Sequence, residues 1–182
     1  TNNGYRLSRT SPGNGVDFVT TAGKRSGMSY NGATLVNLNS TNTEYYLGYA
    51  GSPSTFRFAT TETNNIEFYV KNTDTGEEPT TPDDSDVTFT KTSEIEAGKD
   101  YLIVATSSSS NIYALAYGSE IKLQINNYII GNTVTLSAAD AAKATWTTAA
   151  AAEGDEEGGG DFAFTNNGYR LSRTSPGNGV DF

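Results

Sequence analysis

The eighteen residues TNNGYRLSRTSPGNGVDF occupy Thr1–Phe18 and return, unchanged, as Thr165–Phe182. Two identical peptides cannot both fill one place in a folded domain. The spacing of 164 residues suits a single globular domain with its own core. Unbroken identity at such a spacing marks a repeating array rather than a drifted internal duplication. The expectation is one period and a little more of a longer tandem or polymeric protein. One copy then completes this domain and the other begins the next. The alternatives are an engineered permutant, a subunit given an extra copy of its own donor strand, or a natural terminal duplication.

Strand patterns dominate the period. Ile66, Phe68 and Val70 alternate with Glu67, Tyr69 and Lys71, which predicts a half-buried strand. Phe56 and Phe58 alternate likewise, as do Tyr113, Leu115 and Tyr117; Ile121, Leu123 and Ile125; and Val134 and Leu136. Tyr101–Ala105 is a short, wholly apolar run. Asn-Gly pairs at 3/4, 14/15, 31/32, 167/168 and 178/179 suit the positive φ angles of tight hairpins, and Pro12-Gly13-Asn14-Gly15 is the strongest turn signal. Only Ser137–Ala144 predicts a helix, with Ser137 as N-cap and Asp140 three residues on.

Two hydrophilic segments interrupt the strands. Residues 77–86 hold two prolines and five acids with no apolar residue, the composition of a linker between repeats. On that reading 87–182 is the N-terminal part of one β-domain and 1–76 its C-terminal part, so the domain is seen in permuted register. Residues 153–161 form an acidic, glycine-rich stretch followed by renewed alternation at Phe162 and Phe164, and read as a surface loop.

In that permuted order three similar pieces follow one another: IYALAYGS from Ile112, GYRLSRTS from Gly168 and EYYLGYAGS from Glu44. Each carries Tyr-x-Leu ahead of a Gly/Ser turn. The pattern resembles the secreted β-trefoil-like modules of bacterial multidomain surface proteins, and the resemblance implies an all-β, trefoil-like single domain. The Gln-x-Trp signature of ricin-type trefoils is missing, since Trp146 follows Ala144 and Thr145. A two-sheet β-sandwich fits the same strands.

Composition narrows the chemistry. The net charge is −9, each peptide copy contributes +1, and removing one copy leaves −10 for a period. Such a surface repels phosphate backbones, which argues against a nucleic-acid partner. Histidine and cysteine are absent, removing the commonest general base, thiol nucleophiles, thiolate metal sites and disulfides. Paired carboxylates among Glu62, Glu67, Glu94, Glu96 and Glu120 are the residual route to catalysis. The expectation is a non-enzyme without a cofactor. Asp83, Asp84 and Asp86 offer oxygen ligands to calcium but lack the spacing of a calcium loop. No run reaches the roughly 18 apolar residues of a membrane helix.

The repeated peptide is the leading functional candidate. Tyr5, Leu7, Val16 and Phe18, with Tyr169, Leu171, Val180 and Phe182, are the expected positions of inter-unit strand exchange. A hairpin from this peptide either closes its own sheet or adds to a neighbour's edge. Tyr45, Tyr46 and Tyr49 with Tyr169 and Arg170 are the candidate glycan platform, against the reading that these rings fill a core or a subunit contact. Asn39 heads the one N-glycosylation sequon. High Thr, Ser, Asn, Gly and Tyr content points to an extracellular or cell-surface β-protein. The functional expectation is a structural or adhesive repeat of a surface fibre whose partners are copies of itself, with a carbohydrate-binding trefoil module as alternative.

Overall fold

Tyr101–Ala105 is apolar without a break because its strand is covered on both faces. The computed structural model describes residues 16–20, 25–38, 43–50, 55–63, 65–72, 86–118, 121–152 and 160–173. Among them are fifteen strands and one α-helix, numbered here in chain order. Four successive strands make a small sheet: β2 (Ser29–Tyr30), β3 (Leu35–Leu38), β4 (Glu44–Ala50) and β5 (Thr55–Ala59). The large sheet runs β1 (Val16–Val19), β15 (Tyr169–Arg173), β14 (Phe162–Asn166), β13 (Trp146–Ala150), β8 (Asp100–Thr106), β6 (Ile66–Lys71), β7 (Val87–Thr92), β12 (Thr133–Leu136), β11 (Ile129–Ile130). It also carries β9 (Ile112–Leu115) on β8 and β10 (Lys122–Gln124) on β9. Every ladder is antiparallel. The all-β expectation is met, and the two sheets fit the sandwich alternative.

Two apolar clusters lie on opposite faces of the large sheet. The first takes Leu35, Leu47, Tyr49, Phe56 and Phe58 from the small sheet and Phe68, Tyr101, Ile103, Leu115, Trp146, Phe164 and Leu171 from the large one. It therefore fills the space between them. The second gathers Tyr69, Phe89, Leu102, Val104, Ile125, Val134 and Leu136 with Ala141 and Ala144 of the helix α1 (Ala138–Ala144). β8 feeds Tyr101, Ile103 and Ala105 to the first cluster and Leu102 and Val104 to the second. β6 behaves as its alternation predicts for Ile66 and Phe68, but Tyr69, between the charged Glu67 and Lys71, is buried in the second core.

Local signals account for the ends of several elements. Ser137 caps α1, its Oγ accepting from the Asp140 amide at 3.2 Å. Asn167 (φ 49°) and Gly168 (φ 77°) form the two-residue turn between β14 and β15, with Asn166 opposite Tyr169, as a type I′ hairpin requires. At Asn31-Gly32 the geometry differs. The Asn31 Oδ1 accepts from the amides of Ala33 (3.0 Å) and Thr34 (2.9 Å) and so bends the β2–β3 loop with its side chain.

The expected alternation of Ile121, Leu123 and Ile125 on one face fails at its first member. Ile121 has φ 59°, outside the extended region, and the strand begins only at Lys122. Its side chain accordingly joins the first cluster, whereas Leu123 and Ile125 join the second. The linker residues 77–85 lie outside the described residues.

Candidate functional site

The peptide repeated at the two ends meets itself in the sheet. β1 comes from its first copy and β15 from its second, and they pair as Val16 with Arg173, Asp17 with Ser172, Phe18 with Leu171 and Val19 with Arg170. The described residues of the second copy are its first nine, Thr165–Arg173, and those of the first copy are its last three, Val16–Phe18. Among the described residues, the last three residues of the first copy and the first nine of the second belong to one sheet.

Each piece is fixed by burial. Val16 (6% exposed) and Leu171 (0%) both belong to the core between the sheets, and burying a valine or leucine side chain stabilises by about 1.5–3 kcal/mol. Upstream of β15, the buried Asn166 donates from Nδ2 to the carbonyls of Lys143 (2.9 Å) and Thr145 (2.8 Å), at the end of α1. These are carbonyls a helix terminus leaves without an intrahelical donor. The Lys143 carbonyl also accepts from the Tyr117 amide at 2.8 Å. The Tyr169 ring stacks on Tyr117, with centroids 4.8 Å apart and planes 25° apart. Their hydroxyls are hydrogen-bonded, which together with burial and the neighbouring phenol raises the Tyr117 pKa. β14 is tied in turn to β13 from Thr165 opposite Thr147 to Phe162 opposite Ala150. β15 is thus held by a sheet, a helix end and an aromatic stack, whereas β1 ends the path of the large sheet among the described residues.

The three Tyr-x-Leu pieces are brought together. Leu47, Leu115 and Leu171 are all fully buried in the core between the sheets. Tyr113 stacks on Tyr49 at 5.2 Å and 18°, as Tyr117 stacks on Tyr169, so the piece containing Ile112 contacts each of the other two. Lys122 adds a cation over the first stack, its Nζ 5.1 Å from the Tyr113 centroid, 5.8 Å from that of Tyr49 and 3.3 Å from the Tyr49 hydroxyl. These pairings join residues far apart in the chain, and only the shared Tyr-x-Leu spelling hinted at them.

The remaining candidates scatter. Tyr49 is 5% exposed, so its ring is closed to a sugar and it leaves the glycan platform; its place on β4 points it into the core. Tyr45 packs against the same core, while Tyr46 is half-buried on the opposite face and its hydroxyl is bonded to Glu44. Tyr169 and Arg170 are half-buried on β15, in the other sheet. Asn39, Asp83, Asp84 and Glu120 lie outside the described residues, as do Tyr5, Leu7, Val180 and Phe182. Asp86 is exposed. Among the described residues no three acids come close enough to hold a metal ion. Glu67 is bonded to Lys91 (2.6 Å) and Tyr69 (3.2 Å), and Glu62 to the Asn31 side chain (3.1 Å). Among the described residues no helix is long and apolar enough to cross a membrane.

No protein-family model, curated protein or solved structure matches the chain. Its function is therefore read from the geometry of the paired peptide.

Proposed function

We propose that this chain is a non-catalytic structural unit of an extracellular tandem or polymeric fibre, and that the repeated peptide is the seam at which units close. The observation that carries this reading is the pairing of the two copies with each other, Val16–Phe18 of one lying against Leu171–Arg173 of the other. A sequence of period 164 wound into such bodies uses every peptide once, and each unit needs contact only with its neighbours.

Two connections could carry the chain from one unit to the next: residues 174–179, equivalent to 10–15, and residues 73–85. Residues 73–85 leave and re-enter at paired strands, the Asn72 amide donating to the Thr88 carbonyl at 2.9 Å across β6 and β7, and 174–179 follow β15, whose Arg173 pairs with Val16. The six residues 174–179 contain Pro-Gly-Asn-Gly, and retaining them inside a domain rather than the thirteen of 73–85 costs about 0.7 kcal/mol less in loop closure. The longer segment is acidic and reaches up to about 45 Å when extended, enough to pass between bodies with a radius of gyration of about 15 Å. The unit therefore runs from about Val87 through the peptide and on to about Gly76, with 77–86 as the linker.

A trefoil-like relation among the three Tyr-x-Leu pieces belongs to the same proposal. It is supported by the three leucines sharing one core and by the two tyrosine stacks. The test is the size of the native material under denaturing conditions, by gel and mass spectrometry. Species spaced by one period are expected. A single species of about 19.3 kDa would overturn the covalent array.

A further inference from the structure

We infer that the outer edge of β15 is an acceptor site for an extended Val-Asp-Phe segment, and that any copy of the repeated peptide can fill it, including one on another chain. This deepens the reading of the peptide as a seam and rests on it.

The choice of partner made by β1 carries the inference. The sequence of β15, Tyr-Arg-Leu-Ser-Arg, also occurs at Tyr5–Arg9, ending seven residues before Val16. Loop closure alone favours that nearer partner. β1 nevertheless lies on Tyr169–Arg173, from the far end of the chain. The distant copy is fixed in place by the type I′ turn to β14, Asn166 bonded to the end of α1, Tyr169 stacked on Tyr117, and Leu171 in the core. The acceptor is thus defined by the surface already built around it and not by its distance along the chain. A strand recruited this way is recruited by main-chain pairing along an edge, with Val16 giving the side-chain anchor.

The donor is equally unspecific as to origin. Val16-Asp17-Phe18 and Val180-Asp181-Phe182 are identical, so the sequence offers one acceptor two donors that differ in their tethers. The first leads on to Met28, which is bridged to Phe162 by two backbone hydrogen bonds of 2.8 Å. The second follows β15 after the six residues 174–179. Whichever is displaced becomes a donor for an unfilled acceptor on a second copy of the chain. Strand capture of this kind gives a non-covalent route for joining or repairing units.

The test uses the full 182-residue chain and three variants, Val16→Asp, Val180→Asp and the pair together. Readouts are thermal unfolding and binding of a fluorescent peptide with the sequence of Gly13–Thr20. Either single variant is expected to keep the parent midpoint, because the other copy takes the site. The double variant is expected to unfold at lower temperature and to bind the peptide at least tenfold more tightly than the parent does. Should the double variant not fold, the milder pair Val16→Ala and Val180→Ala reads the same gain in peptide binding. A Val16→Asp chain as destabilised as the double variant, or a peptide that binds no variant better than the parent, would overturn the inference. The native size measurement decides the array separately, since a single small species leaves these results untouched.

Discussion

Leu171→Ala tests whether the C-terminal copy is the one built into the core. Leu171 is fully buried, next to β1 on one side and β14 on the other, in the cluster that also holds Val16, Leu47 and Leu115. Removing a buried leucine's outer methyl groups costs about 2–5 kcal/mol, according to how far the site collapses. β15 lies one strand from the end of the sheet, where relaxation is easier than at its centre, so about 3 kcal/mol is expected. At about 2 kcal/mol/M in urea that moves the midpoint down by about 1.5 M, and in a thermal scan by about 6–12 °C. The control is internal to the sequence, because Leu7 stands at the same place in the other copy. β1 is paired with Tyr169–Arg173, so the same change at Leu7 is expected to cost less than about 0.5 kcal/mol. Urea titrations followed by tryptophan fluorescence, with Trp146 as the single reporter, measure both variants. Equal losses at Leu7 and Leu171, or a loss below about 1 kcal/mol at Leu171, would refute the assignment.

Gly160→Ala is expected to destabilise by about 1–3 kcal/mol, because a Cβ there runs into the backbone of Gly27 and Met28; unchanged urea denaturation would contradict the close approach of these segments. Trp146→Phe removes the indole donor to the Leu115 carbonyl at 2.9 Å and should cost about 1–3 kcal/mol, with an unshifted thermal midpoint counting against that bond. Tyr69 has its pKa pushed up to about 12 by burial first, then by the charge of Glu67 and its hydrogen bond. Because the folded value lies above the unfolded one, its contribution to stability is full below pH about 10 and is lost as pH rises through about 12. An ultraviolet titration of a Tyr69→Phe variant should lose part of the late-ionising absorbance that the parent shows as pH approaches about 12.

Periodicity made much of the fold legible. The alternations at Ile66–Val70, Phe56–Phe58 and Val134–Leu136, the Ser137 cap and the Asn167-Gly168 turn all appear where their local chemistry puts them. Local pattern failed where tertiary contacts decide. In β3, Leu35, Val36 and Asn37 are buried in succession, and the Asn37 Nδ2 donates to the Gly27 carbonyl at 2.8 Å, a partner no alternation signals. Tyr69 reads as part of a solvent face until α1 and β12 are seen to share its cluster. Ile121 reads as strand, yet its positive φ turns it toward the other core.

The candidate site was legible in a different way. Identity between the two copies singles out this peptide, and its apolar positions Val16 and Leu171 can be named from the sequence. Which copy supplies which strand cannot, because the competing sequences are the same. What the structure adds is the anchoring of β15 by Asn166, Tyr169 and Leu171.

That distinction is open to direct measurement in a chain without cysteine. Asp17 and Ser172 are directly opposite in the β1–β15 ladder, and cross-strand neighbours lie near the separation a disulfide spans. Ser8 is the counterpart of Ser172 in the first copy. The two paired variants Asp17→Cys with Ser172→Cys, and Asp17→Cys with Ser8→Cys, are oxidised under identical mild conditions and scored by mass and by mobility on a non-reducing gel. A seam made from both copies predicts an intramolecular bridge between positions 17 and 172 and little between 17 and 8. A bridge formed preferentially between 17 and 8 would mean that each copy closes on itself, and would contradict the account.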